Sequence, residues 1–63
     1  MTGEQRPWVG DLIHDEITDR SGVVTDVRGG AVRVLRPESG PGYWTSRQPE
    51  RLTVVTPREE RRL

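Results

Sequence analysis

Between residues 8 and 56 the chain alternates short apolar runs with breaks rich in Gly, Pro and charge. The spacing of those runs is that of strands, with no apolar face recurring at the helical period. The strongest local signal is SGVVTDVRGGAVRVLRP at 21–37, where two β-branched runs flank Gly29 and Gly30. A two-residue hairpin loop of the I′ type needs positive φ at both central positions, which glycine adopts without a Cβ clash. Such a loop opposes Arg28 to Ala31, Val27 to Val32, Asp26 to Arg33, Thr25 to Val34 and Val24 to Leu35. Val27, Val32, Thr25 and Val34 then face the core, and Asp26 meets Arg33 outside, a cross-strand pair contributing roughly 0.2–1 kcal/mol. That register leaves Val24 and Leu35 facing outward, so a β-bulge near Thr25 is expected to turn Val24 inward.

The rest of the pattern supplies three more strands. WVGDLIH at 8–14 reads as the first, with Val9, Asp11 and Ile13 on one face and Leu12 and His14 on the other. HDEITDRS is a polar connection whose one apolar residue, Ile17, is expected to anchor it. PESGPG cannot sustain a ladder, YWTS forms a short fourth strand, and RQPERL enters a single 3₁₀ turn through its proline. LTVVT at 52–56 is the last strand, stopped by Pro57. Residues 1–7 and 57–63 read as flexible tails, the second of them charged, around an ordered unit at 8–56.

With 63 residues there is room for one domain, which buries only about 60% of its unfolded surface. Cysteine is absent, so neither a disulfide nor a thiolate metal site supports the fold. MTGEQRPW has no apolar signal-like core, and no apolar run approaches membrane-spanning length, so the expectation is a soluble, cytoplasmic protein. Ten basic and ten acidic residues give zero formal net charge, and every basic residue is Arg. Neutrality argues against a generic nucleic-acid binder. The charge is unevenly placed: residues 11–19 carry Asp11, Asp15, Glu16 and Asp19 with no base, while residues 28–36 carry Arg28, Arg33 and Arg36 with no acid.

Five short strands, a long polar connection after the first, a tight central hairpin and a 3₁₀ turn before the last strand resemble the SH3-like barrel. VGDLIH looks like the opening strand of KOW and Tudor-type barrels, and GVVTDVRGGAVRV like their second strand. The ordered region also resembles small barrel proteins of unknown function from high-GC bacteria. Those matches fall at Gly10-Asp11, at Arg20, Gly22, Val24 and Val27, and at Tyr43-Trp44. The resemblance implies an all-β, five-stranded barrel and, from the KOW pattern, loops that contact RNA or the ribosome. The charge balance departs from that pattern, and shared fold alone is associational evidence of function.

His14, Asp15, Glu16 and Asp19 form the one cluster with the side chains of a metal or acid–base site, but neighbouring strand residues point to opposite faces. With no cysteine, one histidine and no serine in a glycine-flanked elbow, nucleophilic catalysis lacks its parts. So small a barrel also leaves little volume for a ligand pocket of about 300 Å³ or more. The expected function is therefore non-enzymatic, without metal or cofactor. The candidates for binding a protein or peptide are the three aromatic residues, Trp8, Tyr43 and Trp44. Tyr43 and Trp44 must face opposite ways, and Trp8 can instead cover an open barrel end. The alternative partner is RNA or DNA, held through Arg28, Arg36 and Arg47. A monomer is expected, or a weak homodimer joined at open strand edges, with no membrane partner.

Overall fold

The computed structural model describes residues 6–61. It is all-β, with five antiparallel strands in one sheet: β1 (Leu12–Asp15), β2 (Arg20–Arg28), β3 (Val32–Pro37), β4 (Trp44–Ser46) and β5 (Leu52–Thr56). A 3₁₀ turn at Pro49–Arg51 leads into β5, and a helical turn, α1 (Arg58–Arg61), follows it. The strand order is β4-β3-β2-β1-β5, so the first strand lies beside the last and β4 and β5 are the edges of an unclosed sheet. No helix among the described residues is long and apolar enough to cross a membrane.

The hairpin turns as its glycines require: Gly29 and Gly30 have φ of 61° and 78°, and the Ala31 N–H donates to the Arg28 carbonyl across them. The ladder, however, resumes only at Val32, which pairs with Arg28. Ala31 therefore stands as a third loop residue and the register slips by one, so that Val27 faces Arg33 and Asp26 faces Val34. The expected pairing of Asp26 with Arg33 does not form. A bulge at Thr25 then takes up the slip, and Val24 opposes Leu35 as the apolar pattern demands.

These two irregularities choose the core. Ile13, Val24, Leu35 and Leu52 are buried together, with Val27, Trp44 and Val54 packed against them. Val24 and Leu35 are thus central, whereas Thr25, expected inside, is exposed by the bulge and Val32 is only half-buried. Ile17 is 60% exposed and anchors nothing. Gly22, buried between Pro37 and Ile13 in the ladder, lets Trp44 lie against the sheet.

Three buried charged groups complete the interior. Asp11, Ile13 and Asp15 share the inward face of the first strand and its approach. Asp11 Oδ2 accepts the Trp8 N–H at 2.9 Å, and its Oδ1 accepts the Arg58 N–H at 2.7 Å. Arg33, 1% exposed, donates from Nε to the Pro7 carbonyl at 3.0 Å and from Nη1 to the Gly30 carbonyl at 2.6 Å. A buried guanidinium is tolerated when carbonyls accept its protons. The packed unit accordingly reaches beyond 8–56 at both ends, since Pro7 is buried and Arg58 is tied to Asp11.

Candidate functional site

Successive strand residues alternate faces, and the pairing of Trp44 with Leu35 decides which of the two adjacent aromatics goes inward. Trp44 is half-buried against the core, and its indole Nε1 donates to Asp15 Oδ2 at 2.9 Å. The Arg20 guanidinium lies 4.1 Å from the centre of its ring. Burial pushes the Asp15 pKa up, but hydrogen bonds from Trp44, the Ile17 N–H and Thr18 outweigh it, leaving the carboxyl below its ordinary value. Trp44 is thus held by the core, by Arg20 over its ring and by Asp15 at its edge. Trp8 is 47% exposed, and its ring centre lies 5.7 Å from the buried Arg33 guanidinium. Burial, with the charge of nearby Arg6, lowers the Arg33 pKa.

Tyr43 is 69% exposed on the opposite face. It lines a surface groove of about 350 Å³ with Thr25, Arg28, Val34, Arg36 and Thr45. Val34 pairs with Thr45 in β4, and the Thr25 bulge carries that hydroxyl to the same side. Every polar side chain in the lining is a guanidinium or a hydroxyl, and no carboxylate lines it. The Thr25 hydroxyl already donates to the Val34 carbonyl at 3.3 Å. Arg28 meets Asp26 at 3.5 Å, both well exposed, a pair of little energetic weight. Arg36 makes no ion pair among the described residues.

No protein-family model, curated protein or solved structure matches the chain. The groove's chemistry must therefore be read from its own residues.

One aromatic and two arginines from the two sequence-derived sets, Tyr43 with Arg28 and Arg36, come together in this groove. Trp8 and Trp44 lie elsewhere. Arg47 lines a separate depression of about 800 Å³, bordered by Arg6, Glu50 and Thr53 among others. Both depressions exceed the volume expected of so small a domain, because they lie on its surface rather than inside a closed barrel. Thr25 and Thr45 were missed as lining residues, as was Val34, which the two-residue-loop register had turned toward the core. The alternation Tyr43-x-Thr45 carried the signal for Thr45, whereas Thr25 depends on the bulge. His14 bridges Ser21 Oγ at 3.0 Å and Asp19 Oδ1 at 3.1 Å on the outer surface, while Asp15 points inward, so the two do not converge on a common ligand.

Proposed function

We propose that the chain is a non-enzymatic interaction module of SH3-like barrel type that binds an acidic segment of a protein through the groove around Tyr43. The observation that carries this reading is the lining itself. A large exposed aromatic ring and two guanidinium groups line the groove together, with hydroxyls beside them and no acid. Arginine forks match carboxylates in a planar, bidentate way, and a tyrosine supplies contact area at low entropic cost. The strand order, with the first strand beside the last, supports the barrel reading.

A second reading draws on the same ring. An exposed Tyr43 in a groove shared with two arginines is also a platform on which a nucleic-acid base can stack. Against it, Arg47 lies outside the groove and the whole chain is neutral, so the run of phosphate contacts is short.

Fluorescence anisotropy with labelled hexaglutamate and labelled oligouridylate, at low and physiological salt, separates the two. Hexaglutamate should bind, and Arg36→Glu or Tyr43→Ala should weaken it by about tenfold or more, the cost of removing a central contact. Oligouridylate binding that survives physiological salt, with hexaglutamate not bound, would replace this reading by the second.

A further inference from the structure

The strand β5 is an edge of the sheet, paired with β1 on one side only. The Glu16 N–H donates to the Arg51 carbonyl at 3.1 Å, which makes those two a hydrogen-bonded pair and sets the phase of the β1–β5 ladder. His14 and Thr53 are the next bonded pair, whereas Asp15–Leu52 and Ile13–Val54 are the non-bonded pairs between and beyond them. Leu52 and Val54 therefore turn their N–H and C=O groups away from β1. The Leu52 N–H goes to the Pro49 carbonyl. The Leu52 carbonyl and both main-chain groups of Val54 have no hydrogen-bond partner among the described residues. All three border the depression of about 800 Å³, which Leu52, Thr53 and Val54 line together with Gly30 and Ala31 of the hairpin tip. Arg33 fastens that border, because its guanidinium binds the Pro7 and Gly30 carbonyls at once. The sequence of β5, LTVVT, has neither the charge nor the proline that commonly guards an edge, and its bulge at Val55 lies past the three free groups.

We infer that this cleft takes an extended segment of a partner protein, added to β5 as a further strand, with an acidic side chain directed at Arg6 and Arg47. A guest strand meets the free groups in register: its N–H groups donate to the Leu52 and Val54 carbonyls, and one of its carbonyls accepts the Val54 N–H. Charge complementarity supplies the acidic side chain. Arg6, Arg47 and Glu50 all line the depression, and none makes an ion pair among the described residues, so two cations stand there against one anion. The same groups exclude a nucleic-acid backbone, since phosphate oxygens only accept hydrogen bonds and leave both carbonyls unmet. A uniformly acidic peptide is also a poor guest, because Glu is depleted in strands and like charges repel. The site is thus separate from the Tyr43 groove and does not depend on it.

The test begins with selection of a random dodecapeptide display library on the full chain carrying Arg36→Glu, which removes the Tyr43 groove as a competitor. The enriched peptides, made synthetically, are then measured against the unmodified chain. They should combine β-branched or aromatic residues with a carboxylate. N-methylation should abolish binding at two backbone positions two residues apart, and be tolerated at the residue between them. In amide hydrogen exchange, Val54 should exchange faster than Thr53 in the free chain and slow by about tenfold or more at saturating peptide. Arg47→Glu, at an exposed position, should weaken the best peptide by roughly tenfold. A peptide that binds without slowing Val54, or that tolerates N-methylation everywhere, refutes strand addition, as does a library that yields no binder. Unchanged affinity in Arg47→Glu overturns the acidic side chain. A chain that sediments as a dimer without peptide, with Val54 already protected, gives the edge to a second copy and overturns the assignment to a partner.

Discussion

Gly22→Ala is the sharpest structural perturbation the fold offers. Gly22 does not need a positive φ; it is glycine because of what approaches it. A Cβ at this position would overlap the Arg36 carbonyl oxygen and stand 2.8 Å from Trp44 Cη2. The carbonyl belongs to the ladder between β2 and β3 and cannot swing aside without breaking pairing. The indole can move, but only by leaving Asp15, whose buried carboxylate would lose the 2.9 Å bond from Nε1. Overpacking of this kind costs roughly 1–3 kcal/mol, and loss of a bond to a charged group adds to it. A chain of this length has roughly 3–9 kcal/mol of total stability, so the change is a large fraction of it. At roughly 4–8 °C per kcal/mol for a domain of this size, the melting temperature should fall by about 10–20 °C. Circular dichroism melts of the variant and the parent measure this. In a Trp8→Phe background, Trp44 fluorescence additionally reports whether the ring is displaced, and its emission should shift to the red. A variant melting within about 2 °C of the parent, with unchanged emission, would refute the packing account, because a clash with backbone leaves no cheap escape.

Three further outcomes follow from the same contacts. Gly30→Val should destabilise by about 1–2 kcal/mol through φ strain alone, since open space surrounds that Cβ position, while Arg47→Ala should melt like the parent. Because the Asp15 pKa is depressed in the folded state, its contribution is present above the unfolded-state value of about 3.9 and is lost as pH falls through the lower folded value. Melting temperature should therefore drop on acidification below about pH 4, and Trp44→Phe, which raises the folded pKa, should shrink that drop. Ending the chain at Pro57 removes the Arg58 N–H from the buried Asp11 carboxylate and should lower the melting temperature by several degrees, roughly 1 kcal/mol or more.

The fold was legible where local chemistry and hydrophobic pattern agreed. Gly29 and Gly30 announced the hairpin, Pro49 the 3₁₀ turn, and the bulge at Thr25 followed from Val24 and Leu35 having nowhere else to go. The one-residue slip at Ala31 was not legible, because two- and three-residue loops both begin from two glycines and differ only in where the ladder restarts. Arg33 went inward against the pattern for a reason that lies far along the chain: the carbonyl that accepts its Nε belongs to Pro7. Asp11 shares a face with Ile13 in the first-strand pattern, and continuing that alternation carries Asp15, assigned by sequence to the polar connection, to the same inward face. The alternation of Tyr43 and Trp44 showed that one of them is exposed, and only the pairing of β3 with β4 selected Tyr43. The meeting of Tyr43 with Arg28 and Arg36 is a product of that register, which is why the sequence offered the aromatic and the arginines as two separate sets.

The most direct test of the groove is amide chemical-shift mapping of the full ¹⁵N-labelled chain titrated with hexaglutamate. Saturable shifts should concentrate on Thr25, Arg28, Val34, Arg36, Tyr43 and Thr45, and vanish in Arg36→Glu. Shifts centred instead on Trp8 or on the depression around Arg47, or no saturable shift anywhere, would contradict the assignment of the Tyr43 groove as the binding site.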